Sequence, residues 1–357
     1  MPSNSSKSLR IVVLPVNGQG HLNACHGLCE ELRDRGHQII FLLDPDFSGR
    51  LKRYGFEEVL LPAIEKPTAG DGKTFWQSFV EHNAGLFAQT ALSQMTNLLP
   101  LVFRAVFEAQ LACEAAVQAA IDQLQPDLII LDSYVSTPPV VNSSRDIPWV
   151  WMFSASPQAM FLDPKLPPFY TGLPLGDTSQ WREHEQATTK ALGPLRTLIS
   201  EHSVRSGGQP MPAGRLFHEY SPFLNLYMSP LELQYSRELL SSSVPSNVIG
   251  VDCFLRTTPN ERFSLPAQLA DRPGKLVFFS MGSFGCSSLP LMTRLVAILA
   301  KSPHRFIVSK GPLKYELPGE NLWGEEYLPQ TAILPLVDLV ITHGGNNSVS
   351  SASLATV

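Results

Sequence analysis

The sequence predicts an α/β protein with two lobes, each built on a parallel sheet. Near its start the chain has the order strand, loop, helix, strand, from which parallel sheets are assembled. A second series with the same order begins at residue 275, and 357 residues are enough for two domains. We expect a first lobe over 1–248, a linker over 249–274 and a partial second lobe over 275–357.

The first lobe opens with short apolar runs that alternate with helical spacing. Residues 10–15 form a β-branched, buried type of strand, and 18–21 form the loop after it. Apolar residues at helical spacing predict a helix over 22–35, which Gly36 ends. Residues 37–43 then form the second strand.

Later segments of this lobe follow the same pattern. Strands are predicted at 127–132 and 148–153, with helices across most of 75–124. Residues 163–222 are rich in Pro, Gly and polar residues and predict loops and helices over one face of the lobe. The segment 249–274 has little periodicity and several prolines, as a linker has.

The second lobe begins with a strand at 275–280 and a Gly-rich loop at 281–285. A helix at 289–300 and a strand at 304–309 follow. Residues 334–342 predict another buried strand, which leads directly into a Gly-Gly turn.

Composition narrows the classes of function. Hydrophobic residues make up 44% and charged residues 17%, so the chain has a large core, and its net charge of −5 gives no electrostatic case for nucleic acid. The five cysteines are scattered without a CxxC pair, which supports neither a disulfide framework nor a zinc site. No apolar run reaches the roughly 18 residues of a membrane span. With no apolar leader at the N-terminus, we expect a cytoplasmic protein.

The Gly-Gly turn has the features of an anion site. His343 stands at the carboxyl end of the predicted strand, and Gly345 precedes a helix start. Amide groups and the positive dipole end of a helix suit phosphate, to which Asn347 and Ser348 add side-chain donors. An ordinary strand-to-helix turn is the alternative.

Two further segments of the second lobe suit a nucleotide. Tyr327, in the run that ends at Gln330, offers an aromatic face for a nucleobase. Ser283, in a Gly-flanked loop at a strand end, offers a hydroxyl and an amide to a phosphate.

In the first lobe, His21 and Asp132 follow strands of one predicted sheet. A histidine near a helix start suits general-base work. Because parallel strand ends meet at one edge, the Asp132 carboxylate can hold the Nδ1–H group of His21. A structural role for His21, and a helix cap at Asp132, remain open alternatives.

A dinucleotide-binding site is an alternative interpretation of the same region. Gly18, Gly20 and Asn23 match a dinucleotide fingerprint without its third glycine, and Asp44 or Asp46 stands where a ribose-binding acid is expected. This reading predicts an NAD-dependent oxidoreductase.

Together these motifs resemble family 1 UDP-glycosyltransferases, whose GT-B fold has two Rossmann-like, doubly wound lobes. Residues 18–21 resemble the loop with the family's base, Asp132 its partner acid, and 281–283 its phosphate loop. Residues 327–330 resemble the start of the donor-binding signature and 342–348 its centre.

The resemblance implies inverting, metal-independent transfer of a hexose from a UDP-sugar to a hydroxyl of a lipophilic small molecule. His21 would be the base and Asp132 its partner, with no cofactor besides the donor substrate. The implied donor-binding residues are Ser283, Tyr327, Gln330, His343, Gly345, Asn347 and Ser348. The suggested walls of the acceptor site, or else simply core residues, are Phe75, Trp76, Phe79, Phe87 and Met160.

The chain departs from the family pattern after this signature. Ser351 stands where relatives carry an acidic residue for the ribose, and the residues after it do not follow the pattern. We therefore expect a second lobe that is incomplete. The alternative function is a truncated, non-catalytic isoform that binds acceptors or regulates other subunits.

Overall fold

The computed structural model describes most of the chain, and its elements are α/β as predicted. The described residues are 7–63, 75–135, 147–155, 165–169, 171–212, 220–235, 244–254, 256–257, 261–286 and 288–355, with the backbone alone at 231, 283, 284, 354 and 355. The chain divides into two compact units, residues 1–65 with 85–254 and residues 66–84 with 255–357.

The strands are β1 (Arg10–Leu14), β2 (Gln38–Leu43), β3 (Glu57–Leu60), β4 (Leu128–Asp132), β5 (Trp149–Phe153), β6 (Leu224–Met228), β7 (Val248–Val251), β8 (Leu276–Ser280), β9 (Arg305–Ser309), β10 (Leu322–Glu325) and β11 (Leu339–Thr342). The helices are α1 (Gln19–Asp34), α2 (Phe75–His82), α3 (Ala84–Phe87), α4 (Ala91–Ser93), α5 (Leu99–Leu124), α6 (Trp181–Arg205), α7 (Ala267–Ala270), α8 (Gly282–Gly285), α9 (Leu289–Leu299), α10 (Gln330–Ile333) and α11 (Asn346–Ala355). Single turns are π-helical at Gln94–Leu98 and 3-10 at Pro45–Phe47, Lys52–Tyr54, Leu231–Leu233 and Leu334–Leu336.

The sheet of the first unit is wholly parallel, with the order β3-β2-β1-β4-β5-β6-β7. Its central strands are apolar on both faces: Val12 and Leu14 of β1 join one core, and Ile11 and Val13 join the other. The order reverses between β1 and β4. In such sheets, ligands bind beyond the carboxyl ends of the strands at this switch point.

The described sheet of the second unit repeats this arrangement, with the parallel order β10-β9-β8-β11. Val277 of β8 packs with Met292 of α9 on one face, and Phe278 packs with Leu269 of α7 on the other. The switch point lies between β8 and β11. Both units are therefore Rossmann-like, as the sequence predicted.

Helix α1 begins three residues earlier than predicted. Gly18 is extended (φ −160°, ψ 141°) and caps the helix, and its carbonyl accepts the N–H of Leu22 at 2.9 Å. The loop predicted over 18–21 is therefore mostly the first turn of α1. As a result His21 is held by a helix and not by a loop.

The strand predicted over 334–342 is only partly correct. Pro335 cannot donate to a sheet, and it lies inside the 3-10 turn Leu334–Leu336. The strand β11 itself covers Leu339–Thr342, and Leu339 is 53% exposed. Within the described residues β11 ends the strand order, so it is not the buried strand that was expected.

The segment between the predicted lobes contributes to both units. β7 runs three residues past position 248, where the first lobe was expected to end. Leu269 of α7, inside the predicted linker, is fully buried in the second unit. No helix among the described residues combines the length and apolar character needed to cross a membrane.

Candidate active site

His21 and Asp132 meet at the switch point of the first sheet. Asp132 is the last residue of β4 and is completely buried, while His21 lies in the first turn of α1, the helix that follows β1. The His21 Nδ1 atom is 2.8 Å from Asp132 Oδ2, and the His21 side chain is 27% exposed. The structure therefore brings the predicted base and its predicted partner together.

The hydrogen bonds of Asp132 determine the tautomer of His21. Oδ2 also accepts the N–H of Val16 at 3.1 Å, and Oδ1 accepts the N–H of Ser133 at 2.7 Å. An ionised carboxylate surrounded by donors can only accept. Hydrogen positions follow from this network, and they place the His21 proton on Nδ1 and the lone pair on Nε2.

Ser154, the residue after β5, completes the group, and the sequence analysis missed it. Its Oγ atom is 2.7 Å from His21 Nδ1 and 2.5 Å from Asp132 Oδ1. In a Ser-His-Asp hydrolase, the nucleophile bonds to Nε2 while the acid holds Nδ1. Here both partners of His21 face Nδ1, so the arrangement differs from that of a hydrolase triad.

Tyr134 provides an aromatic wall beside His21. It adopts a left-handed backbone conformation (φ 67°), which costs about 1 kcal/mol or more for a residue other than glycine. Its ring packs edge-on to His21 with centroids 6.4 Å apart and contacts Phe103 and Phe153 at 5.1 and 5.7 Å. This turn immediately follows Asp132, so the strained backbone lies beside the His21–Asp132 pair.

In the second unit, the ring of His343 lies between two glycines. A Cβ atom on Gly282 would be 2.3 Å from His343 Cε1, and one on Gly345 would be 2.5 Å from His343 Nε2. Gly282 also has a positive φ of 64°. Because β8 and β11 are paired, with Ser280 opposite Thr342, the loop after β8 and the turn after β11 meet here.

Packing between the glycines affects the charge of His343. Although the residue as a whole is exposed, desolvation of its ring lowers the pKa of His343 below its ordinary value of 6.5. A hydrogen bond to the Ser280 backbone acts in the opposite direction. The imidazole is therefore neutral at neutral pH.

The remaining predicted residues lie along the same edge of this sheet. Asn347 and Ser348 are in the first turn of α11, and the Gly345 carbonyl accepts the N–H of Val349 at 3.0 Å. Tyr327, which is 63% exposed, and Gln330, the first residue of α10, follow β10. Strands β9 and β8 separate them from β11. The side chain of Ser283 lies outside the described residues.

The comparisons with known proteins agree with this architecture. No family model matches the chain. The 4'-demethylrebeccamycin synthase of Lentzea aerocolonigenes is 23% identical, over 96% of this chain and 80% of that protein. The solved glycosyltransferase of kitacinnamycin superposes with a TM-score of 0.65 at 20% identity, over 98% of this chain and 79% of that one.

The spinosyn rhamnosyltransferase SpnG, solved with thymidine diphosphate, superposes with a TM-score of 0.57 at 17% identity, over 97% of this chain and 78% of that one. The two parallel sheets, each with its own switch point, and these superpositions together identify the fold. The chain has the GT-B fold of glycosyltransferases. In this GT-B protein, His21 and Asp132 stand at the switch point of the first unit, and His343 stands at that of the second.

The suggested acceptor walls of this GT-B protein have mixed surroundings. Phe75, Trp76 and Phe79 pack on one another within α2, with centroids 5.1 to 6.4 Å apart. Phe79 is buried, whereas Phe75, Trp76 and Phe87 are half-buried. Met160 lies outside the described residues. These contacts suit a core as well as a wall.

Two other readings of the sequence can be compared with this GT-B structure. Asp44, the proposed ribose acid of a dinucleotide site, accepts the N–H of Asp46 at 2.8 Å and so caps a 3-10 turn. In the described parts of the chain, no three His, Cys, Asp or Glu side chains are grouped as metal ligands would be.

Proposed function

We propose that this GT-B protein transfers a hexose from a nucleoside-diphosphate sugar to a hydroxyl of a lipophilic small molecule, with inversion and without a metal ion. The observation that carries the proposal is the His21–Asp132 pair at the switch point of the first sheet. It places an imidazole, whose Nε2 atom can act as a base if the proton is on Nδ1, where ligands of such sheets bind. The similarity to 4'-demethylrebeccamycin synthase supports the same class of reaction.

The proposed chemistry is one displacement. The His21 Nε2 atom takes the proton of the acceptor hydroxyl while the hydroxyl oxygen bonds to the anomeric carbon of the donor sugar. The bond from that carbon to the diphosphate oxygen breaks on the opposite face, which inverts the configuration. Asp132 stabilises the imidazolium that forms, because its carboxylate is held 2.8 Å from Nδ1.

The second unit would hold the donor. The turn at His343 and Gly345 leads into α11, whose N-terminus with Asn347 and Ser348 suits the diphosphate. Charge that develops on the leaving group would be stabilised there by preorganised donors. The proposal also assigns Ser283 to the phosphates and Tyr327 and Gln330 to the nucleoside.

The nucleotide part of the donor is proposed to be a pyrimidine nucleoside diphosphate. The motifs of the second unit resemble a UDP-sugar site, while the solved rhamnosyltransferase SpnG holds thymidine diphosphate. Both nucleotides present a diphosphate and a pyrimidine ring to the same kinds of group. UDP and thymidine diphosphate should therefore be compared side by side.

Calorimetric titration of the protein with each nucleotide tests the donor site. We expect either UDP or thymidine diphosphate to bind with a Kd in the micromolar range. ADP and NADH should bind at least about tenfold more weakly. Mass spectrometry of lipophilic alcohols and phenols incubated with the matching sugar nucleotides should then detect a mass increase of one hexosyl residue, that is, one hexose less one water. Nucleotide binding without transfer to any acceptor would favour the non-catalytic alternative, and tighter NADH binding would favour an oxidoreductase.

Replacement of Gly282 by alanine should disrupt the donor site. The new methyl group would overlap the His343 ring and would sit on a backbone with positive φ. If His343 loses one hydrogen bond to a charged group, we expect nucleotide affinity to fall about 10- to 100-fold. Titration of the variant measures this loss.

Gly36→Ala is the matched control for that variant. Gly36 has a φ of 91°, and a Cβ there would meet no atom within 4 Å, so the change adds backbone strain without a clash. We expect it to lower the melting temperature and to leave nucleotide affinity unchanged. Equal affinity of the Gly282→Ala variant and the unmodified protein would remove the His343 turn from the donor site.

A further inference from the structure

The hydroxyl of Ser154 lies within hydrogen-bonding distance of three described residues of the candidate active site, His21, Asp132 and Ser133. Ser154 follows β5, which pairs with β4, and it is 6% exposed. Its Oγ atom lies 2.7 Å from His21 Nδ1, 2.5 Å from Asp132 Oδ1 and 3.2 Å from Ser133 Oγ. A buried hydroxyl thus contacts both members of the pair at once.

The directions of these bonds follow from the number of protons. Ser154 has one proton, and the Asp132 carboxylate can only accept, so the short contact to Oδ1 is donated by Ser154. The Ser154 oxygen then accepts from His21, which shares its Nδ1–H between Asp132 Oδ2 and Ser154 Oγ. If Ser154 instead donated to Nδ1, the lone pair of that nitrogen would face the carboxylate at 2.8 Å.

We propose that Ser154 is a positioning residue for the base, an inference that rests on the proposed glycosyl transfer. The Ser154 Oγ atom is a second acceptor for the Nδ1–H group of His21, besides Asp132 Oδ2. The hydrogen bond that Ser154 donates to Asp132 Oδ1 fixes this oxygen in place. Two acceptors restrict rotation of the imidazole and hold the proton on Nδ1. Nε2 therefore keeps both its lone pair and its direction before an acceptor hydroxyl arrives.

Ser133 offers a matched control inside the same network. Its hydroxyl also reaches Asp132 Oδ1, at 3.1 Å, so its removal takes one donor from the same carboxylate oxygen. No contact between Ser133 and His21 occurs among the hydrogen bonds of the described residues around Asp132. The difference between Ser154→Ala and Ser133→Ala therefore isolates the contact with the imidazole.

Steady-state kinetics of the two variants test the proposal in the presence of substrate. For Ser154→Ala we expect kcat to fall about tenfold, since a hydrogen bond to the charged form of the base is lost, with KM of donor and acceptor unchanged. Ser133→Ala should lose less than about a third as much, measured as the fold-change in kcat. Equal losses in the two variants, or a change in KM alone, would overturn the positioning role.

Nuclear magnetic resonance of protein labelled with ¹⁵N-histidine tests the same point without substrate, and the His21→Gln variant assigns the His21 signals. In the unmodified protein we expect a single tautomer protonated on Nδ1. Ser154→Ala should show exchange between tautomers or ring orientations, whereas Ser133→Ala should keep one. An Nε2–H tautomer in the unmodified protein would overturn the proposal even if Ser154→Ala did not fold.

The two readouts separate this inference from the function on which it rests. Absence of transfer in every variant, together with the expected change in the His21 signals, would reject the glycosyltransferase assignment and retain the contact. Transfer that is unaffected by Ser154→Ala, with unaltered His21 signals, would mean that Ser154 only fills space.

Discussion

Replacement of His21 by alanine is expected to lower kcat for hexose transfer about 10²- to 10⁴-fold, the usual contribution of a general base. The bond to Asp132 uses Nδ1 of His21, so Nε2 is the ring nitrogen that keeps a lone pair. The variant lacks this nitrogen. The residues proposed to bind the donor belong to the second unit, so the affinity for the nucleotide should stay the same. Transfer assays and calorimetric titration of the same preparation measure both quantities.

His37→Ala is a suitable control for that variant. His37 precedes β2, at the amino edge of the sheet opposite to the candidate site, and its Nδ1 accepts the N–H of Leu9 at 3.2 Å. We expect a modest loss of stability and unchanged kcat. If the His21→Ala variant transferred hexose at the unmodified rate, His21 would have no part in the reaction.

Replacement of Asp132 by asparagine is expected to reduce both activity and stability. One orientation of the new amide puts its NH₂ group against the Ser133 N–H, and the other puts it against the Val16 N–H and His21 Nδ1. The second orientation also favours the tautomer with the proton on Nε2, which removes the base. We expect kcat to fall about 10²- to 10⁴-fold.

The loss of stability from this change should be about 1–3 kcal/mol, because a buried N–H then faces another donor. Chemical unfolding followed by circular dichroism measures it. Asp34→Asn is the control, because Asp34 is an exposed carboxylate that bonds to its neighbour Arg33 on the surface. A stable Asp132→Asn variant with full activity would contradict both roles, while instability with normal kcat would leave Asp132 as a structural residue only.

Much of the strand pattern could be read from the sequence because it is local. β1, β2, β4 and β5 begin and end within one residue of the predicted limits, since a parallel strand buried on both faces is a short apolar run. The start of α1 was misplaced because Gly18 and Gly20 read as a loop. In the structure Gly18 caps the helix and Gly20 lies in its first turn. The segment 334–342 was misread because its apolar run continues through Pro335, which forms a turn.

The sequence by itself determined the α/β class, the Gly-rich turns and the choice of His21, Asp132 and His343, because each depends on residue type and on position at a strand end. Only the tertiary structure decided which strand ends meet. His21 is 111 positions from Asp132 and 133 from Ser154, and the pairing of β1, β4 and β5 brings the three together.

Strand order depends on the packing of the whole sheet, and no local pattern encodes it. For the same reason the contacts of Ser154 with His21 and Asp132, and the enclosure of His343 by Gly282 and Gly345, could be read only from the folded chain.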